Sequence, residues 1–186
     1  MVSQSRWPLI DINDRRLFVS EKEKAEAFKA RVSTFFTDIK STPDDEAGLD
    51  AQALYGDPLW VLDKQADWLK IQTHEYCQED TAFDGYVGWV RAEHVSTQLP
   101  QPTHRVTAPR TFLYPQADMK KPRIGYRSMG SLVSAKEQAE TRGTSYAILS
   151  GGEAIINASD VSPHNAGTAY IAVAAYKFNN FTPMAY

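Results

Sequence analysis

Cysteine is almost absent from this 186-residue chain, where Cys77 stands alone. That excludes an internal disulfide framework and any metal site built on several thiolates. Histidine is nearly as scarce. His74, His94, His104 and His164 are too scattered for the close His or carboxylate spacing of a zinc site, so neither a metal nor another cofactor is expected. Long hydrophobic runs are missing too: no 18-residue apolar window occurs, and no membrane span is expected. The opening MVSQSRWPLI lacks a basic head followed by an apolar stretch. No secretion signal is therefore read there, and a cytoplasmic location is expected, with cell-wall association as the alternative. Charge of one sign is not in excess either, since 20 Lys and Arg face 23 Asp and Glu for a formal charge of -3. Without a basic run to track a phosphate backbone, nucleic acid is not an expected partner.

What is present is enough to fold. With 42% hydrophobic and 23% charged residues the composition is that of a globular protein, long enough for one ordinary domain or two small ones. Ser20 and Glu23 have the Ser-x-x-Glu spacing of a capping box ahead of EKAEAFKARV, which predicts a short helix with a thin apolar content of Ala25, Phe28 and Val32. Beyond it the texture changes to short apolar runs between Pro, Gly and Asp: FFTDI, ALYGDPLWVLD, DWLKIQ and DGYVGWV. These are strand lengths with turn residues between them, and the alternation in LWVLD lets either Leu59 and Val61 or Trp60 and Leu62 face inward. At least two of Trp60, Trp68 and Trp89 are expected to pack in so small a core.

STQLPQPT reads as a linker, because Pro100 and Pro102 interrupt a strand. The pattern then repeats in HRVTA, TFLYPQAD, GSLVSAKEQ and SYAILSGGEAIINASDV. The fold class expected is all-β: two tandem SH3-like barrels with an N-terminal helical arm and a C-terminal amphipathic helix. The boundaries are an arm and short helix at 1–30, a first barrel at 31–97, a linker at 98–103, a second barrel at 104–163 and a final helical segment at 164–186. In that last segment residues 170, 171, 174, 175 and 178 are apolar at helical spacing, which predicts self-association or a partner through 169–178.

LDAQALYGDPLWVL, DWLKIQ and DGYVGWV together resemble the first bacterial SH3-like domain of the NlpC family of cell-wall cysteine peptidases, in the branch that cleaves murein peptides between γ-D-glutamate and the diamino acid. THRVTAPRTFLYPQADMKKP with GSLVSAKE resembles that branch's second SH3-like domain, DINDRRL its leading arm, and AYIAVAAYKF the opening helix of its catalytic domain. The resemblance implies that the catalytic cysteine and histidine would lie beyond Tyr186, so no catalytic residue is expected within these residues. Cys77 is no substitute, since Glu75, Glu79 and Asp80 around it oppose thiolate formation.

The family's first SH3-like domain lends a Glu of a YGE string and a Tyr of a GY-GWV string to the free amino group of the peptide's terminal L-Ala. The matching positions are Asp57 and Tyr86, with Asp57 shorter than the family's Glu by one methylene. A charge-assisted hydrogen bond to an ammonium contributes roughly 1.5–3 kcal/mol. Asp57 also suits a turn before Pro58, and Tyr86 a surface aromatic. Phe112 and Tyr114 are expected between the second barrel and its neighbour. The function expected is murein-peptide recognition and targeting for a γ-D-glutamyl-diamino acid peptidase. The alternatives are a structural or protein-interaction SH3-like module without substrate binding, and a polyproline adaptor. The adaptor is disfavoured: ALYGD lacks the second Tyr of that class's ALYDY, and Ala92 stands where its groove proline usually sits.

Overall fold

The computed structural model describes residues 19–74, 85–151 and 155–164, with backbone alone at 155 and 156. The expectations placed on the leading arm, on Cys77 and on the helix at 169–178 lie outside the described residues. Strands dominate, and the chain is all-β as expected.

The first unit comprises β1 (Phe28–Val32), β2 (Phe36–Lys40), β3 (Leu49–Leu54), β4 (Pro58–Gln65), β5 (Trp68–Thr73), β6 (Val87–Arg91) and, after a 3-10 turn at Ala92–His94, β7 (Val95–Ser96). They form an antiparallel sheet in the order β3-β2-β6-β5-β4-β1-β7. Alternate residues on the strands fill one core, in which Val32, Ile39, Ile71 and Val90 are completely buried. On β4 the inward set is Leu59 and Val61. Leu62, at an irregularity between Val61 and Asp63, is buried as well. Of Trp60, Trp68 and Trp89, at least two of which are expected to pack, Trp68 is buried, while Trp60 and Trp89 are half-buried.

The single helix of the described residues, α1 (Glu21–Glu26), starts where the capping box places it. The Ser20 hydroxyl accepts from the Glu23 N–H at 3.2 Å, and the Glu23 carboxylate accepts from the Ser20 N–H at 2.8 Å. It stops earlier than its periodicity predicts. Ala27 is extended, and FKARV, read as the helix's continuation, is β1, so the first unit begins before residue 31. The spacing of Ala25, Phe28 and Val32 fits a helix, but that of Ala30 and Val32 fits a strand equally well. Pairing with β4 and β7 buries both of the latter and decides the outcome. The helix is tied back to the sheet by an ion pair between Glu23 and Lys70 of β5. Burial alone would raise the Glu23 carboxyl. Hydrogen bonds from Lys70 and Ser20, with the Lys70 charge, outweigh it and hold the group at about 2.

The second unit comprises β8 (His104–Val106), β9 (Arg110–Leu113), β10 (Gly125–Ser128), β11 (Leu132–Val133), β12 (Ala135–Thr141), β13 (Thr144–Leu149), β14 (Ile155–Asn157) and, after a 3-10 turn at Ala158–Asp160, β15 (Val161–Pro163). Its sheets are smaller: β10-β9, β11-β8-β15 and β12-β13-β14. The hairpin between β12 and β13 turns on Arg142 and Gly143, both at positive φ, as a tight two-residue connection requires.

The two units repeat one plan. β1 pairs with β4 and β7 as β8 pairs with β11 and β15, and β2-β3 corresponds to β9-β10. The repetition extends to single hydrogen bonds. Val32 N–H donates to the Asp57 carbonyl and its own carbonyl accepts from Gly56 N–H; Val106 does the same with Ser131 and Gly130. Gly56 and Gly130 both have positive φ, and the guanidiniums of Arg31 and Arg105 donate to their carbonyls at 3.2 and 3.3 Å. Thr37 bonds His94 as Thr111 bonds Asp160.

Candidate functional site

The turn leading into β4 is built from Leu54, Tyr55, Gly56 and Asp57. Asp57 N–H donates to the Leu54 carbonyl at 3.0 Å, and the Asp57 Oδ2 accepts the Leu54 N–H at 2.9 Å, so the side chain closes its own turn. Tyr55 N–H is held by the Phe35 carbonyl and Gly56 N–H by that of Val32. Gly56 sits at φ +82, and a Cβ there would lie 2.2 Å from the Leu132 carbonyl oxygen. Only glycine meets both conditions. Asp57 itself is half-buried.

Tyr86 is fixed from the neighbouring strand. Its N–H donates to the Thr73 hydroxyl at 2.8 Å and its carbonyl accepts from the Thr73 N–H at 2.9 Å. Gln72, buried in β5, donates through Nε2 to the Gly85 carbonyl at 2.8 Å, and a Cβ on Gly85 would meet the Thr73 carbonyl. The DGYVGWV string is therefore a close-packed strand entry, and Tyr86 packs its half-buried ring against the first unit's core. On β4, Trp60 stacks on His74 with ring centroids 6.3 Å apart, and the Lys29 ammonium lies 5.1 Å from the Trp60 ring.

The register shows how the two candidate residues relate. Leu59 pairs with Thr73, and Thr73 bonds Tyr86, so the three stand in one row across β4, β5 and the entry to β6. Asp57 lies two residues beyond that row on the β4 side. Asp57 and Tyr86 thus share one end of the β4-β5-β6 ladder, two strand spacings or about 10 Å apart across it. The arrangement offers a carboxylate and a phenol at one end of a sheet, groups able to meet a cation or an amine. No group of three or more metal-ligating side chains occurs among the described residues.

Tyr55 is the residue whose role the sequence did not reveal. Its ring leaves the first unit and packs against the second unit's cluster of Val106, Leu113 and Val133, under the Arg127 guanidinium at 3.9 Å from the ring centroid. Burial pulls Arg127 below its usual value, and the neighbouring Tyr55 works in the other direction. The inter-unit aromatics are Tyr55 and the pair Phe35–Tyr126, with centroids 4.1 Å apart. The expected pair behaves otherwise: Tyr114 is buried with Tyr146 inside the second unit, and Phe112 packs on that cluster beneath Arg123. The signal that would have found Tyr55 is the internal repeat, which sets Met129 at its equivalent position.

Residues 40–95 match the family model described as the bacterial dipeptidyl-peptidase Sh3 domain. Among solved structures, the chain is similar to an NlpC/P60 family protein from Bacillus cereus ATCC 10987, at 18% identity and a TM-score of 0.55, over 74% of this chain and 57% of that one. NlpC2 and NlpC1 from Trichomonas vaginalis also match, at 11% and 10% identity with TM-scores of 0.28 and 0.29, over 73% of this chain and 48% and 45% of theirs. No curated protein matches at a significant level. The chain spans little more than half the length of the Bacillus cereus protein. Residues 40–95 are thus similar to the bacterial SH3 domain of dipeptidyl-peptidases, and the chain shares its SH3-like fold with a protein of the NlpC/P60 family.

Proposed function

We propose that this chain recognises murein peptides with a free N-terminal L-Ala on behalf of a γ-D-glutamyl-diamino acid cysteine peptidase, with Asp57 and Tyr86 as the contacts to the amino end. The coarser reading, an accessory module of an NlpC/P60-like peptidase, follows from the SH3 domain at 40–95. The finer one is carried by the position of Asp57 and Tyr86 at one end of the same three-strand ladder.

The internal repeat supports a role for Asp57 beyond its turn. At the equivalent place the second unit has Ser131, whose N–H donates to the Ser128 carbonyl as Asp57 N–H donates to that of Leu54. Among the described residues the Ser131 hydroxyl has no partner, so that turn forms without a side chain closing it. A carboxylate is therefore not a requirement of the scaffold.

The test is calorimetric titration of the 186-residue chain with L-Ala-γ-D-Glu-meso-diaminopimelate, against Asp57→Ser and Tyr86→Phe. Asp57→Ser installs the second unit's own solution and should keep the fold while weakening binding by about tenfold or more, as expected for loss of a charge-assisted bond. Tyr86→Phe should weaken it less. Equal affinity in all three proteins would exclude Asp57 and Tyr86 as the contacts, and binding by none of them would favour a module without substrate binding.

A further inference from the structure

We infer that the second unit is a positioning element for the site on the first, acting through Tyr55; the inference rests on the reading of Asp57 given above. Tyr55 and Asp57 flank Gly56, and the second unit grips this tripeptide at two points. The Tyr55 ring is seated in the cluster of Val106, Leu113 and Val133 with Arg127 over it. The Tyr55 carbonyl accepts the Leu132 N–H at 2.9 Å, and Leu132 leaves no room for a side chain on Gly56. The Tyr55–Gly56 peptide, one link before Asp57, is thus held by a strand, β11, that belongs to the other unit.

Two observations separate this from ordinary packing. The first unit does not need Tyr55 for its own core, because the cluster around Val32, Ile39 and Ile71 does not include it. Nor does the turn itself need an aromatic, because the second unit makes the same turn with Met129. Tyr55 is spent outside the unit that owns it, beside the candidate ligand. A half-buried carboxylate aimed at an amine loses affinity steeply when it shifts, which gives the grip a functional consequence. Tyr55, Leu132 and Arg127 are positioning residues in this scheme, and none is assigned contact with the peptide.

The test uses Arg127→Ala in the second unit and Tyr55→Met, the repeat's own residue, in the full chain. Amide hydrogen exchange is read at Leu54 and Asp57, whose N–H groups close the turn, and at Ile71 in β5 as the reference. Both variants should speed exchange at Leu54 and Asp57 by about tenfold and leave Ile71 unchanged, since opening would be local. Peptide affinity should fall by about tenfold in each variant, with no further fall when either is combined with Asp57→Ser. Unchanged exchange at the turn, or a fall in affinity that adds fully to that of Asp57→Ser, would overturn the inference. If the unaltered chain does not bind the peptide, the reading of Asp57 fails, while the exchange data still decide whether the second unit holds the turn.

Discussion

In the first unit the turn entering β4 is Tyr55-Gly56-Asp57; in the second the matching turn entering β11 is Met129-Gly130-Ser131. The glycines, their positive φ, the valines that bond across them and the arginines that hold their carbonyls are common to both. These shared parts are what the fold demands, because they satisfy backbone groups that would otherwise be buried without partners. What differs is on either side of the glycine. One unit has an aromatic that reaches into its neighbour and a carboxylate at a strand entry, whereas the other has a thioether and a small hydroxyl. The repeat therefore acts as an internal control, separating residues common to both turns from residues the turn can form without.

The cores differ in the same sense. Eight buried residues form the first unit's cluster, while the second divides into groups of three and two and takes Tyr55 from outside. A small core gains most from a borrowed ring.

The largest effect is expected where the units meet. Gly56→Ala places a methyl group against the Leu132 carbonyl at a positive φ, and should lower stability by about 3 kcal/mol by combining backbone strain with steric displacement. With Trp7 replaced by Phe, the remaining tryptophans, Trp60, Trp68 and Trp89, all stand in the first unit, so fluorescence follows that unit and far-ultraviolet circular dichroism follows both. In Gly56→Ala the two melting curves should separate; coincident curves would mean that the units are not coupled through the Gly56–Leu132 contact.

A smaller effect divides the units by pH. Burial, with the charges of Arg105 and Arg31, lowers His164 beyond β15. The folded chain then binds that proton less readily than the unfolded one. Stability at the second unit should fall as pH drops below about 6.5, the ordinary histidine value. Glu23 acts on the first unit and in a different range. Its carboxyl is held at about 2 against an ordinary 4.5, so the stability it contributes is complete above 4.5 and is lost as pH falls towards 2. The pair is partly solvent-screened and is worth about 1 kcal/mol or less. Acid titration should therefore move the dichroism melting point before the tryptophan one, and Lys70→Met should remove most of the tryptophan shift below pH 4.5.

Much of this was legible in the sequence because strand alternation, turn residues and the capping box are local signals. β2, β4, β5 and β6 fall on the apolar runs, and Ser20 caps α1 as its spacing requires. The errors share one cause, which is pairing at long range. FKARV is ambiguous in period and becomes a strand only because β4 and β7 lie beside it. β10, in GYRS, is short and polar and forms by pairing with β9. Phe112 and Tyr114 show the same limit: alternation says that a ring is inward but not into which unit. Asp57 and Tyr86 were paired through the family resemblance alone, whereas the seating of Tyr55 in the second unit and its bond to Leu132 needed the fold.

The central claim is that the Asp57–Tyr86 end of the ladder recognises a free amino terminus. The most direct measurement is calorimetric titration of the unaltered chain with L-Ala-γ-D-Glu-meso-diaminopimelate and with the same peptide acetylated on its amino group. The account predicts binding of the first and at least about tenfold weaker binding of the second, because acetylation removes the charge that a carboxylate would meet. Equal affinity for both peptides, or for neither, would contradict it.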